Sequence, residues 1–373
     1  MPVDVSYCTS CVVSNQRPRI TFADDGVCSA CQHAARKRRD IDWEVRDEEL
    51  HQLLDRYRRD DGSYDVVVPA SGGKDSTFIA HQLKHVYGMH PLTVTWAPNV
   101  WTDIGFRNWR AFVDSGFDNV LGMPSGDTNR RFVRLAFEQM GDPFLPFIYG
   151  VKAFPIRQAI QYGIQLVMYA EDGEVEYGGE TKNADRGTID VAEDMARQYF
   201  SGFDPESWTR FGLTRNELLP YLMPRADEIA TAGLDYRYFG HYKKWIPQEN
   251  YYYAAEHCGF QANPERSEGT YSKYASLDDK LDGFHYYLGF LKFGIGRTTS
   301  DAAHEIRDGH LTREEGVALV RRYDGEFPAK NFATFLDYVG MDEDEFWKAA
   351  DAFRPAHLWE RAGDEWRLKH QVS

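Results

Sequence analysis

The chain has 373 residues, enough for one large domain or two to three smaller ones, and its 42% hydrophobic and 14% aromatic content excludes a disordered class. A formal net charge of −15 argues against a general nucleic-acid surface, which needs clustered Lys and Arg. No apolar run approaches the roughly 20 residues needed to span a bilayer, and Met1-Pro2-Val3-Asp4-Val5 lacks the features of a signal peptide, so a cytoplasmic protein without membrane insertion is expected.

Four of the five cysteines, Cys8, Cys11, Cys28 and Cys31, form two Cys-x₂-Cys pairs inside the first 31 residues. In a cytosolic chain this is metal spacing rather than a disulfide framework. Two knuckles complete a closed tetrahedral sulfur shell that suits a structural Zn²⁺, with an iron–sulfur cluster as the competing occupant. Residues 1–45 therefore read as a zinc ribbon, with a short strand at Ile20-Thr21-Phe22 and a hairpin turn at Asp24-Asp25-Gly26. The basic run Arg36-Lys37-Arg38-Arg39, followed by Asp40, Asp42 and Glu44, reads as a solvated helix face, and Asp47 to Arg59 as an amphipathic helix.

Val66-Val67-Val68-Pro69-Ala70 then runs into Ser71-Gly72-Gly73-Lys74-Asp75-Ser76. A β-branched run ending in a Ser-Gly-Gly turn predicts a buried parallel strand, and residues 75–87 carry apolar positions at helical spacing. Strand, glycine loop and helix N-terminus form an anion cradle, because adjacent glycines let backbone N–H groups approach an oxyanion and the helix dipole adds positive charge. The pattern is neither a Walker A loop nor Gly-x-Gly-x-x-Gly. It resembles the Ser-Gly-Gly-x-Asp-Ser loop of the PP-loop ATP pyrophosphatases, which hold the β,γ-pyrophosphate of ATP and break the α–β bond.

From residue 64 to about 170, strands (65–70, 92–96, 119–122, 165–169) alternate with helices near 75–87, 104–115, 127–140 and 151–162, predicting a doubly wound, mostly parallel α/β sheet. Ligands bind such sheets beyond the strand carboxyl ends, so 71–76, 97–108, 123–127 and 171–182 are the candidate site walls. The last of these is dense in acids from Glu171 through Asp172 and Glu174 to Glu176, which suits Mg²⁺ coordination or a carboxylate acting on an incoming nucleophile. Residues 183–246 are expected to give short helices and a cap over the pocket.

Helices are expected at 247–257, 278–292, 299–308, 312–323, 330–339 and 342–353. Between them, Glu265-Arg266-Ser267-Glu268 through Tyr274 has the composition of a binding loop, and Lys292-Phe293-Gly294-Ile295-Gly296-Arg297 suggests a break that aims two cations at phosphate. Cys258, between Ala255 and Gly259, reads as a buried core thiol.

Taken together, Cys8-x₂-Cys11 and Cys28-x₂-Cys31, the loop Ser71 to Ser76, Glu176-Tyr177-Gly178-Gly179, Asn263 to Tyr271 and Lys292 to Arg297 closely resemble the N-acetyl sugar amidotransferases of bacterial lipopolysaccharide O-antigen and flagellin-glycan biosynthesis. The similarity runs from about Tyr7 to about Pro328. It implies a PP-loop ATP pyrophosphatase domain over 46–260, between the ribbon and a mainly helical region, 261–373, that completes the substrate pocket. It further implies that the acetamido oxygen of a nucleotide-activated N-acetyl sugar attacks the α-phosphate of ATP. Ammonia from a separate glutaminase–cyclase pair, similar to histidine-biosynthesis proteins, then displaces AMP to give an acetamidino sugar.

In that scheme Ser71, Gly72, Gly73, Lys74, Asp75 and Ser76 bind the nucleotide. Asp75 (toward Mg²⁺), Glu176 (toward ammonia), Lys292 and Arg297 (toward phosphate) are the catalytic candidates. The sugar, its UDP or CMP carrier and the roles of Glu171, Glu265, Arg266 and Glu268 stay open, and a homo-oligomer paired through the ribbon is compatible with the reading. Two alternatives compete: a PP-loop tRNA-modifying enzyme, which predicts a basic face, and a non-catalytic ribbon scaffold, which predicts a damaged phosphate loop.

Overall fold

Val66–Pro69 forms β1, the centre of the sheet, because its valines can be buried on both faces at once. Pro91–Trp96 (β2), Asn119–Gly122 (β3), Leu166–Tyr169 (β4) and Asp235–Tyr238 (β5) complete one five-stranded parallel sheet, ordered β3-β2-β1-β4-β5. The computed structural model describes residues 1–171, 173–179, 186–188, 191, 199–200 and 202–373, the Glu174 side chain excepted.

Alternation along the strands sends side chains to two cores. Val67, Val94 and Val167 meet the helices Gly126–Met140 and Leu145–Tyr162, whereas Val66, Val68, Leu166 and Met168 meet Trp43–Tyr57, Lys74–His81, Asp103–Asp114 and Pro247–Cys258. Helices therefore cover both faces, and the order reverses between β1 and β4. The carboxyl ends of those two strands open a crevice there.

A third core joins the outer face of Gly126–Met140, through Val133 and Phe137, to Phe284, Leu288, Phe335 and Phe346 of the C-terminal helices. A fourth packs the ribbon cysteines and Val12 against Ala302 and Ala303 of Arg297–Asp308 and against Val372. Among the described residues, no helix is long and apolar enough to cross a membrane.

Several elements differ from the sequence expectation. The helix expected at 151–162 starts at Leu145, since Pro146 falls in its first turn, where a missing N–H costs nothing. β5 lies in the stretch read as short helices; Tyr236 and Tyr238 alternate inward and Tyr236 stacks on Tyr169 at 4.7 Å. The strand expected at Ile20–Phe22 reduces to the single bridge Phe22–Cys28. After the last helix the chain adds an antiparallel hairpin, Trp359–Ala362 with Glu365–Leu368.

Gly150 sets the spacing between sheet and helix: a Cβ there would lie 2.1 Å from the Trp96 indole. Gly150→Ala gains about 1 kcal/mol of helix propensity against about 1–3 kcal/mol or more of overpacking. Urea unfolding should therefore show net destabilisation, and an unchanged or raised midpoint would contradict this packing.

Candidate functional site

The four ribbon cysteines converge, with sulfur atoms all within 4.8 Å of one another. Sγ–Sγ separations are 3.9 Å for Cys8–Cys31 and 3.8 Å for Cys11–Cys28. A tetrahedral ion with bonds of about 2.3 Å requires edges of about 3.8 Å, so the donor set fits Zn²⁺. Backbone N–H groups of Ser10, Cys11 and Cys28 donate to Cys8 Sγ at 3.3–3.4 Å, the usual second layer of a thiolate site. Arg313 donates to the Cys8 and Cys11 carbonyls, fastening the knuckles to the C-terminal region.

At the crevice, Gly72 takes φ +79°, and a Cβ on it would sit 2.5 Å from the Trp109 backbone, so only glycine fits. Gly73 caps Lys74–His81 with no side-chain hydrogen bond, so among the described residues no side chain caps the first-turn N–H groups. Ser71 Oγ accepts from Gly73 N at 3.3 Å, Ser76 Oγ donates to Gly73 O at 3.2 Å, and Ser71 also bonds Asp278. Lys74 pairs with Asp75, which accepts from Asn250 at 3.1 Å.

Lys74 and Asp75 face a cavity of about 1150 Å³. Glu171, at the end of β4, and Tyr177 continue its wall. Its other walls come from the Arg17-Pro18-Arg19 segment of the ribbon, from Ser272 and Tyr274, and from the two helices that carry Lys292, Arg297, Asp301, His304 and Asp308. The lining is rich in acids. Burial pushes Glu171 upward against the pull of Lys152, and raises Asp308 to about 6 against Lys37. His304 is held down to about 3, chiefly by burial and then by Arg307, so its ring is neutral at physiological pH, and its Nε2 makes no hydrogen bond among the described residues.

The structure distributes the sequence-nominated residues unevenly. Lys74, Asp75, Lys292 and Arg297 line the cavity; Ser71, Gly72, Gly73 and Ser76 shape the loop behind it. Lys292 donates to Met140 O at 3.1 Å; Arg297 holds Asp301 at 3.0 Å and the Tyr286 hydroxyl. Glu176 does not line the cavity: its buried carboxylate pairs with Lys37, with His304 Nε2 at 3.7 Å. Lys37 therefore leaves the face read as solvated and turns inward.

Arg266 forks onto Glu326 at 2.6 and 2.8 Å, and Glu268 accepts from Lys330 N, so both fasten the 265–274 loop. Of the four candidate walls, 97–108 is held by Asp279, which accepts from Asn99 and Val100, and 123–127 lies away from the cavity. Asp172 and residues 180–182 lie outside the described residues. Cys258 is buried, and burial raises its thiol pKa. Sequence reasoning missed Arg17, Asp278 and His304, none of which stands in a recognisable motif.

Two outcomes follow. Cys28→Ser should reduce bound metal from near stoichiometric to near zero by elemental analysis, the element found separating zinc from iron; unchanged metal content would contradict the four-sulfur site. Burial alone would raise Glu176, but Lys37 outweighs it and brings the carboxylate from its ordinary 4.5 to about 2. A depressed folded value means that the pair's stabilisation is present above pH 4.5 and lost as pH falls toward 2. Glu176→Gln strands the Lys37 charge and should cost about 3–5 kcal/mol at pH 7, with much of it recovered in Lys37→Met/Glu176→Met. A single-variant loss under about 1 kcal/mol would contradict the buried pair.

Residues 268–372, which supply the upper wall of the cavity, match the model of a family described as LPS biosynthesis protein WbpG-like, C-terminal domain. No curated protein matches the chain.

Proposed function

We propose that the protein is an ATP-dependent, amidine-forming amidotransferase that converts the acetamido group of a nucleotide-activated N-acetyl sugar into an acetamidino group, releasing AMP and pyrophosphate. One observation carries the reading. The uncapped helix N-terminus after β1 opens, through Lys74 and Asp75, into the cavity whose opposite wall is the segment that resembles a lipopolysaccharide-biosynthesis domain.

An amide oxygen is a poor leaving group, so exchanging it for nitrogen requires activation. The carbonyl oxygen attacks the α-phosphorus of ATP, the bond to the β-phosphate oxygen breaks, and pyrophosphate leaves. Ammonia adds to the resulting O-adenyl imidate, loses a proton, and AMP departs with the original oxygen. The N–H groups of the Lys74 turn and the Lys74 ammonium stabilise charge gathering on the pyrophosphate.

Asp75 and Glu171 share one field and fit a Mg²⁺ ion, which when bound offsets phosphate charge that these carboxylates would otherwise repel. Glu171, raised by burial and exposed to the cavity, is better placed than Glu176 to take the proton from nitrogen. The ammonia source, a separate glutaminase–cyclase pair, belongs to the same reading.

The test incubates the protein with MgATP, ammonium chloride and a panel of N-acetylated nucleotide sugars, followed by mass spectrometry. The expected product is lighter by the difference between O and NH and forms with equimolar AMP. Lys74→Ala should lower kcat/KM by about 10²–10³. ATP binding with no product across the panel would overturn the proposal.

A further inference from the structure

Five Lys and Arg side chains among the described residues line the cavity: Arg17, Arg19, Lys74, Lys292 and Arg297. Four are already engaged. Lys74 pairs with Asp75, Arg297 with Asp301 and Tyr286, Lys292 donates to Met140 O, and Arg19 has its own partner. Arg17 differs. Its guanidinium lies 5.6 Å from the centre of the Tyr177 ring and meets no carboxylate or carbonyl among the described residues. Burial, and next to it the charge of Arg307, work against the protonated form. A half-buried guanidinium facing a cavity, with no donor engaged among the described residues, is a site prepared for an anion.

The segment that carries it is stiff. Arg17 N bonds Ser14 O and Ile20 N bonds Arg17 O, both at 3.3 Å, while Pro18 fixes its own φ and Arg19 takes the rare value of +62°. Between Cys11 and Cys28, this short loop is held by the same knuckles that gather the four sulfurs. The cavity, at about 1150 Å³, exceeds the roughly 300–1,000 Å³ that accommodates one small ligand, leaving room for a second phosphorylated molecule beside ATP.

We propose that Arg17 grips the phosphate of the sugar's nucleotide carrier, so that the metal-bearing ribbon supplies part of the substrate site. The inference rests on the reading that ATP occupies the Ser71–Ser76 loop and assigns the second anion. The shared chemistry is a nucleoside mono- or diphosphate; a CMP-linked and a UDP-linked sugar both present it.

The test is calorimetry on the full chain. A non-hydrolysable ATP analogue with Mg²⁺ is titrated first, and uridine diphosphate or cytidine monophosphate is then titrated into analogue-saturated protein. One of the two should bind the wild type, identifying the carrier. Arg17→Met should weaken that nucleotide at least tenfold while the analogue stays within twofold, and Arg17→Lys should recover part of the loss. Unchanged nucleotide affinity in Arg17→Met, or equal loss of both ligands, overturns the inference. Analogue binding with neither nucleotide overturns it too and leaves the adenylation reading standing. Binding of a nucleotide that depends on Arg17, without analogue binding, supports it and sinks the adenylation reading instead.

Discussion

The buried pairing of Lys37 with Glu176 is the constraint on which the cavity depends. Each charge alone in that interior would cost several kcal/mol, and together they are tolerated only in a fixed geometry. Lys37 comes from the helix Ser29–Arg39 and Glu176 from the segment after β4, while Arg307, from the helix Arg297–Asp308, donates to the Glu176 carbonyl at 3.1 Å. Ser29 adds a bond from the ribbon to Gly178 O at 3.2 Å. Three stretches distant in sequence are thereby locked around one point, and none can shift without stranding a charge. The cavity walls inherit that rigidity.

The same arrangement bears on the phosphate binding proposed for this acidic molecule. Two of the five cavity cations, Lys74 and Arg297, are paired with carboxylates, and Lys292 is engaged by the Met140 carbonyl. What remains for an anion is the helix N-terminus at Lys74 and the guanidinium of Arg17, which meets the Tyr177 ring but no carboxylate among the described residues. In the proposed reaction, the carboxylates of Asp75 and Glu171 on the same cavity call for a divalent cation to accompany the phosphates. The four converging cysteines flank the loop that carries Arg17, so an ion held by them would also fix that loop.

Local patterns announced some of this and concealed the rest. The parallel strands, the Ser71–Ser76 turn and the four converging cysteines were readable because each is written in consecutive residues or short fixed spacings. Glu176 was misleading for a physical reason: acids beyond a strand's carboxyl end suggest catalysis, but its partner Lys37 lies 139 positions earlier inside a run that looks like solvated surface. Arg17 had no signal at all, since an arginine in a knuckle loop is ordinary until the fold brings it over the cavity. β5 was obscured because tyrosines alternating with charged residues suit an edge strand and a polar loop equally well. The closing hairpin, with Trp359 seated on the Leu291 carbonyl at 2.8 Å, is specified by a contact 68 residues away.

The central claim is that the loop after β1 delivers adenylate to a neutral carbonyl oxygen. The most direct measurement uses an N-acetylated nucleotide sugar whose acetamido carbonyl carries the heavy oxygen isotope, with MgATP and ammonium, and follows the label by mass spectrometry. The account predicts that the label appears in the phosphate of AMP and is lost from the sugar. Label retained in the sugar, or found in pyrophosphate or in water with none in AMP, would contradict it.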